Sequence, residues 1–358
     1  HMMFKGTARR TAEDVNQELD DLGSQSNAYT SEEQTVYYMS ILPEFQHASL
    51  DLLSDMMRPA LRDEDFQTER QVILEEIAMY DDQPPYGAME RAMEGFFRDH
   101  PLARRVLGTR ETVSQLEPEA MRAYHQARYA SDNLTLVASG AVDFEQLLKS
   151  AEALTKKWVP SQAKRELVTP TYFNDNLSMV HPPATQQYTL QYSPGPSYRD
   201  ETRYIARILG TIIGDESGSR LFWELVDTGM AETAATFTQE FQECGLFCTF
   251  LACAPEQHDE NWEIVQEILQ QGQVVPITEL ELELAKNKIC SGMILGSERP
   301  SNRLFSIGNA WTIRCKYETI QEASEHYRRV TLEEVQRAFE ALDNRTNVTV
   351  SVGPETNR

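Results

Sequence analysis

The sequence predicts an α+β fold built from two copies of one unit, and three observations lead there. A helix-then-strand ending occurs twice. Leu116-Glu117-Pro118-Glu119-Ala120-Met121 continues through a helical stretch to Tyr129 and then Asn133-Leu134-Thr135-Leu136-Val137-Ala138-Ser139-Gly140; Val330-Thr331-Leu332-Glu333-Glu334-Val335 leads by the same route to Asn347-Val348-Thr349-Val350-Ser351-Val352-Gly353. The closing glycines lie 213 positions apart, a domain-sized interval. Each ending predicts a strand that joins its own sheet. Pro160 to Pro170 between the copies is a charged, proline-bounded linker, and 358 residues are too many for one typical domain. The expected bounds are a first αβ domain over 1–160, a linker over 161–172 and a second αβ domain over 173–358.

The elements follow in order. Thr11 can cap a helix with Asp14 three residues on; Val15, Leu19 and Leu22 give Ala12 to Leu22 a helical stripe, and Gly23 stops it. Asn27 to Ser31 and Thr35 to Met39 read as two strands. Glu44 to Met57 is a helix with Phe45, Leu50, Leu53, Met56 and Met57 apolar, Asp63 can cap the next, and Pro84 starts another that runs towards Phe97. The first strand of the second domain is expected near Asn176. Gly218-Ser219-Arg220-Leu221-Phe222-Trp223-Glu224 reads as a helix start.

Two glutamates on the helix after Asp63 hold a register that matters. In Glu69-Arg70-Gln71-Val72-Ile73-Leu74-Glu75-Glu76, positions seven apart are two turns apart with only about 20° of drift, so Glu69 and Glu76 share a side and Glu75 turns away. Such a pair is ordinarily a solvated face. Here Glu76 lies 75 positions beyond His1, at the head of His1-Met2-Met3-Phe4-Lys5-Gly6-Thr7.

These two segments carry a resemblance to the inverzincin zinc peptidases, the insulinase, pitrilysin and mitochondrial processing-peptidase family. Its helix reads H-x-x-E-H followed by a stretch like M-x-F-K-G-T, with a third ligand roughly 75 residues on in a helix like E-R-x-V-I-L-x-E. The resemblance makes His1 the second histidine, and it implies Glu76 as a Zn²⁺ ligand and Glu69 as a supporting, outer-shell acid. The first histidine and the glutamate that activates water fall ahead of His1. A His-Met pair also opens many expressed chains as a cloning remnant, and the run into Met3 to Thr7 favours the motif. By the same resemblance the fold is two homologous αβ domains, each a mostly antiparallel sheet covered by helices. Roughly forty to fifty residues of the first domain are expected upstream, on domain-size grounds.

The strand Asn27-Ala28-Tyr29-Thr30 matches the sheet edge on which the family captures substrate backbone by β-augmentation. An ordinary edge strand with Tyr29 merely packing remains the other reading. Where the family carries an arginine and, seven residues on, a tyrosine that touch substrate, this chain has Val226 and Glu232, and neither can donate to a carbonyl oxygen as those do. Arg220 sits at another turn. Agreement is weakest over Leu251 to Pro276. His100 lies in a loop without ligand spacing, and His47, His125, His181, His258 and His326 are scattered.

Composition sets the partners. The formal charge of −23, from 33 basic and 56 acidic residues, opposes a nucleic-acid backbone and would attract cationic peptides if the acid lines a cavity. No apolar run of about 18 residues suggests a membrane span. Five cysteines, Cys244, Cys248, Cys253, Cys290 and Cys315, lack C-x-x-C spacing and read as structural thiols. A soluble, cytoplasmic protein is expected. Two functions follow: a zinc endopeptidase or oligopeptidase of extended, including basic, peptides, or a non-catalytic scaffold or partner subunit. In either case two such domains form half of the family's clamshell, so a homodimer or a heterodimer with a related half-sized subunit is expected. With only His1 and Glu76 as ligands, this chain is expected to hold zinc weakly and to be inactive alone.

Overall fold

The computed structural model describes residues 1–342 and 345–355. Along the chain run α1 (Ala12–Asp21), β1 (Gln25–Thr30), β2 (Thr35–Ser40), α2 (Gln46–Met56), α3 (Asp63–Asp81), α4 (Pro84–Phe97), α5 (Arg110–Ser114), α6 (Pro118–Arg128) and α7 (Phe144–Thr155). Then come β3 (Asp175–Val180), β4 (Gln187–Gly195), α8 (Arg203–Gly214), β5 (Thr233–Glu240), β6 (Gly245–Cys253), α9 (His258–Gln270), α10 (Glu279–Ser297), α11 (Pro300–Arg314), α12 (Ile320–Arg329), α13 (Leu332–Glu340) and β7 (Val348–Gly353). The expected mixed architecture is present, and pairing is mostly antiparallel, with β3–β7 parallel.

The chain divides into two compact units. The first holds residues 1–79, 106–166 and 300–308; the second holds 80–105, 167–299 and 309–358. These differ from the bounds read in the sequence, because α4 packs on β4 and β7 and so belongs with the second unit. Ala88, Ala92, Phe96 and Phe97 on α4 bury against Leu190, Tyr192, Val348, Val350 and Val352. Periodicity shows that this helix has an apolar face but not which sheet receives it.

In the second unit the sheet runs β3-β7-β4-β6-β5. Its other face packs Phe247, Leu251 and Ala234 against Ile208, Ile212 and Leu221, with Val335 and Phe339 of α13 in the same core. The expected helix start after Gly218 becomes a π-helical turn, Phe222–Val226. Cys244, Cys248, Cys253 and Cys290 are buried free thiols, and Cys315 is exposed.

The first unit has a smaller core of Val15, Leu19, Leu22, Leu52, Met56 and Met57 closed by Met3. Thr11 and Asp14 form the expected capping box, and Gly23, at φ +58°, ends α1. Asp63 is the first residue of α3 and not its cap, and it pairs with Arg122. The strand expected over 133–140 is absent. Residues 134–139 carry no regular secondary structure, and among the described residues no strand pairs with them; unpaired backbone forms no sheet. The sheet of this unit is therefore the β1–β2 hairpin alone.

Candidate functional site

The first eleven residues are folded into a tight loop by chemistry the sequence carries. Gly6 has φ +95°, and a Cβ there would meet the Arg10 carbonyl oxygen at 2.7 Å, so only glycine fits. Thr7 donates its hydroxyl to Asp55 (2.7 Å), while Arg9 and Arg10 reach Asp51 and Asp55 across α2. Burial works against charge on both aspartates, yet the hydrogen bonds from Thr7, Arg9 and Arg10 outweigh it and hold the two carboxyls below the usual range. Arg62 ties the loop to α3 through the Lys5 and Thr7 carbonyls.

This loop sets His1 and Lys5 over α3. The Nδ1 of His1 lies 2.9 Å from Glu69 Oε2, and its Nε2 lies 3.7 Å from Glu76 Oε2. One imidazole thus meets both carboxylates that the seven-residue spacing puts on one side. Lys5 Nζ is 2.7 Å from the other Glu69 oxygen. Glu69 is 6% exposed. Its burial disfavours charge, but the Lys5 and His1 hydrogen bonds prevail and lower its pKa. Sequence reasoning missed Lys5, although it stands inside the Phe4-Lys5-Gly6-Thr7 run. What was missing was its reach, since nothing local says which carboxylate a lysine meets.

The donor chemistry can be tested against zinc. His1 Nε2 and the Glu76 carboxylate are separated by a gap that bonds of about 2.0–2.2 Å to one ion can bridge, while Glu69 on Nδ1 occupies the place of a carboxylate that orients a ligating histidine. Two ligands are one short of a catalytic centre, and among the described residues no group of three or more His, Cys, Asp or Glu could hold a metal ion. The residues present therefore fit part of a zinc site and do not complete one.

β1 hydrogen-bonds only to β2, in register Asn27↔Tyr38, Ala28↔Tyr37, Tyr29↔Val36 and Thr30↔Thr35, which leaves its outer edge without a strand among the described residues. Asn27 accepts from the Ala28 amide through its own side chain. Tyr29 is 38% exposed, and its ring and that of Tyr38 lie 6.0 and 5.0 Å from Phe305. His100 is placed elsewhere: its Nδ1 accepts from the Leu102 amide and its Nε2 meets the Val168 carbonyl.

Two models of one family together match most of the chain. Residues 1–110 match the family model described as Insulinase (Peptidase family M16), and residues 115–289 match that of the Peptidase M16 inactive domain. The chain belongs to the insulinase family, peptidase family M16. A protein of Mycobacterium tuberculosis named an uncharacterized zinc protease is 29% identical over 364 residues, covering 99% of this chain and 82% of the relative. The fold is shared with a protease from Helicobacter pylori (TM-score 0.88, 19% identity, 99% of this chain and 88% of that one). It is shared also with a chain of Complex III2 from Candida albicans (TM-score 0.81, 15% identity, 99% and 88%). In this insulinase-family chain Val226 packs against the second unit's core, and Glu232, just ahead of β5, accepts a hydrogen bond from Gln186. No helix among the described residues is long and apolar enough to cross a membrane.

Proposed function

We propose that this chain is the greater part of a zinc-dependent metallopeptidase that cleaves extended peptides, basic ones included. What carries this reading is His1 lying between Glu69 and Glu76: one carboxylate on Nδ1 fixes the ring, and Nε2 is turned towards the other. Relatives named zinc proteases support the choice of metal. When bound, the ion would act as a Lewis acid on the scissile carbonyl. His1 and Glu76 would hold it, Glu69 would orient His1, and Lys5 would keep Glu69 charged and turned inward. The edge Asn27 to Thr30 would take the peptide backbone as an added strand. Among the described residues no third ligand joins His1 and Glu76.

Pairing with itself or with a related half-sized subunit belongs to the same proposal. Val226 and Glu232 favour a partner that contributes hydrogen-bond donors from the opposing wall, and the same two residues support the second reading, a non-catalytic subunit. Sedimentation of the full-length protein, alone and with a related subunit, separates these. A stable monomer with full peptidase activity sinks the pairing proposal.

The decisive experiment compares residues 1–358 with a protein extended ahead of His1 to the length of its relatives. The shorter chain is expected to bind zinc weakly and hydrolyse nothing measurable; the longer one cleaves peptides in a chelator-sensitive way. Glu76→Gln in the longer protein loses both metal and activity, while Glu69→Gln costs about 10–100-fold, more in activity than in metal. Full zinc occupancy in Glu76→Gln would overturn the ligand assignment.

A further inference from the structure

The first unit holds a polar cavity where the end of α2 meets the end of α7. It has a volume of about 290 Å³ and is lined by Arg9, Ser54, Asp55, Arg58, Lys156, Lys157 and Trp158, together with Ala153 and Leu154. Four of its side chains are cationic in a chain whose formal charge is −23. The one carboxylate there, Asp55, is already held by Thr7, Arg9 and Arg10. It is not free to neutralise the rest.

Arg58 is the informative residue. Its guanidinium carbon lies 3.7 Å from the centre of the Trp158 ring, and one nitrogen donates to the Met57 carbonyl at 2.7 Å. Among the described residues no carboxylate forms an ion pair with Arg58, Lys156 or Lys157. Burial accordingly pulls the Arg58 pKa down with nothing to raise it. The Trp158 ring holds the guanidinium in place while Met57 takes one of its donors, and the N–H groups left over can match two oxygens of one anion. Lys156 and Lys157 stand just past the C-terminal end of α7 and add two exposed ammonium donors. The volume suits one small molecule, not a peptide strand.

We propose that this cavity binds a small dianion bearing a phosphate or dicarboxylate group, with Arg58 as the bidentate anchor and Lys156 and Lys157 closing over it. The site is separate from the residues assigned to peptide hydrolysis and does not depend on that assignment.

Calorimetry on the whole chain at low ionic strength, with inorganic phosphate in one arm and malonate in the other, tests the idea. Trp158, beside Arg58 in the lining, supplies a local fluorescence signal that should saturate together with the heat. Saturable one-to-one binding in either arm is expected, and the responding arm names the anion class. Arg58→Gln and Lys157→Gln should each weaken it about tenfold, since each removes a charge-assisted contact. Lys157 is on the surface, so its variant keeps the test valid if Arg58→Gln does not fold. Binding in neither arm, a response matched by equal ionic strength of chloride, or unchanged affinity in folded Lys157→Gln and Arg58→Gln overturns the proposal.

Discussion

Both units run from a helix through a β-hairpin and further helices to a strand-prone stretch, and there they differ. In the second, α8, the hairpin β5–β6 and α13 lead to β7, which sits between β3 and β4 with Val348, Val350 and Val352 buried. In the first, α1, the hairpin β1–β2 and α6 lead to residues 133–140, where Leu136 is 47% exposed and no strand forms. Asn133-Leu134-Thr135-Leu136-Val137 is as strand-prone as Asn347-Val348-Thr349-Val350-Ser351. The difference teaches that a strand is made by its neighbours: β7 has a partner on each side, and its counterpart has none among the described residues.

Hydrogen exchange offers the largest contrast. Amides of 348–352 should exchange at least about a thousandfold more slowly than those of 134–138, because only the former open with the cooperative unit. Equal protection would break the comparison. Core truncation comes next. Val350→Ala should cost about 2–3 kcal/mol in denaturant unfolding, and Leu136→Ala no more than about 0.5 kcal/mol; similar losses would mean that residues 134–138 are packed in solution.

A smaller effect sharpens the division into units. Thr11 and Thr331 each close a capping box, and replacing either with alanine should cost about 1 kcal/mol, felt in the unfolding transition of its own unit. A shared, equal shift of one transition would make the units a single cooperative block. The smallest concerns pH. The Glu69 carboxyl is held below its ordinary 4.5, so its contribution is complete above that value and is lost as pH falls through the lowered, folded-state value. Glu69→Gln should therefore flatten the acid limb of the stability profile. An unchanged limb would show that Lys5 and His1 do not hold this carboxylate in solution.

Much of this was legible locally. Thr11 with Asp14, Gly23, and the alternation through Asn27 to Met39 fix α1 and the hairpin because caps, stops and pleats act within a few residues. The placement of Glu69 and Glu76 on one side followed from helix geometry alone. What the sequence hid is non-local. Nothing in α4 says that it buries on β4 and β7, nothing in 133–140 says that pairing fails, and nothing in Lys5 says that it meets Glu69. The π-helical turn at Phe222–Val226 likewise has no signature in its residues.

The helix that carries both carboxylates behaves as a ruler with a fixed graduation. Glu69 and Glu76 are about 10.5 Å apart along the axis and nearly in line, and one imidazole meets both. One residue inserted between them would swing Glu76 about 100° around the helix. The stretch 70–75 should accept many changes of side chain and no change of length.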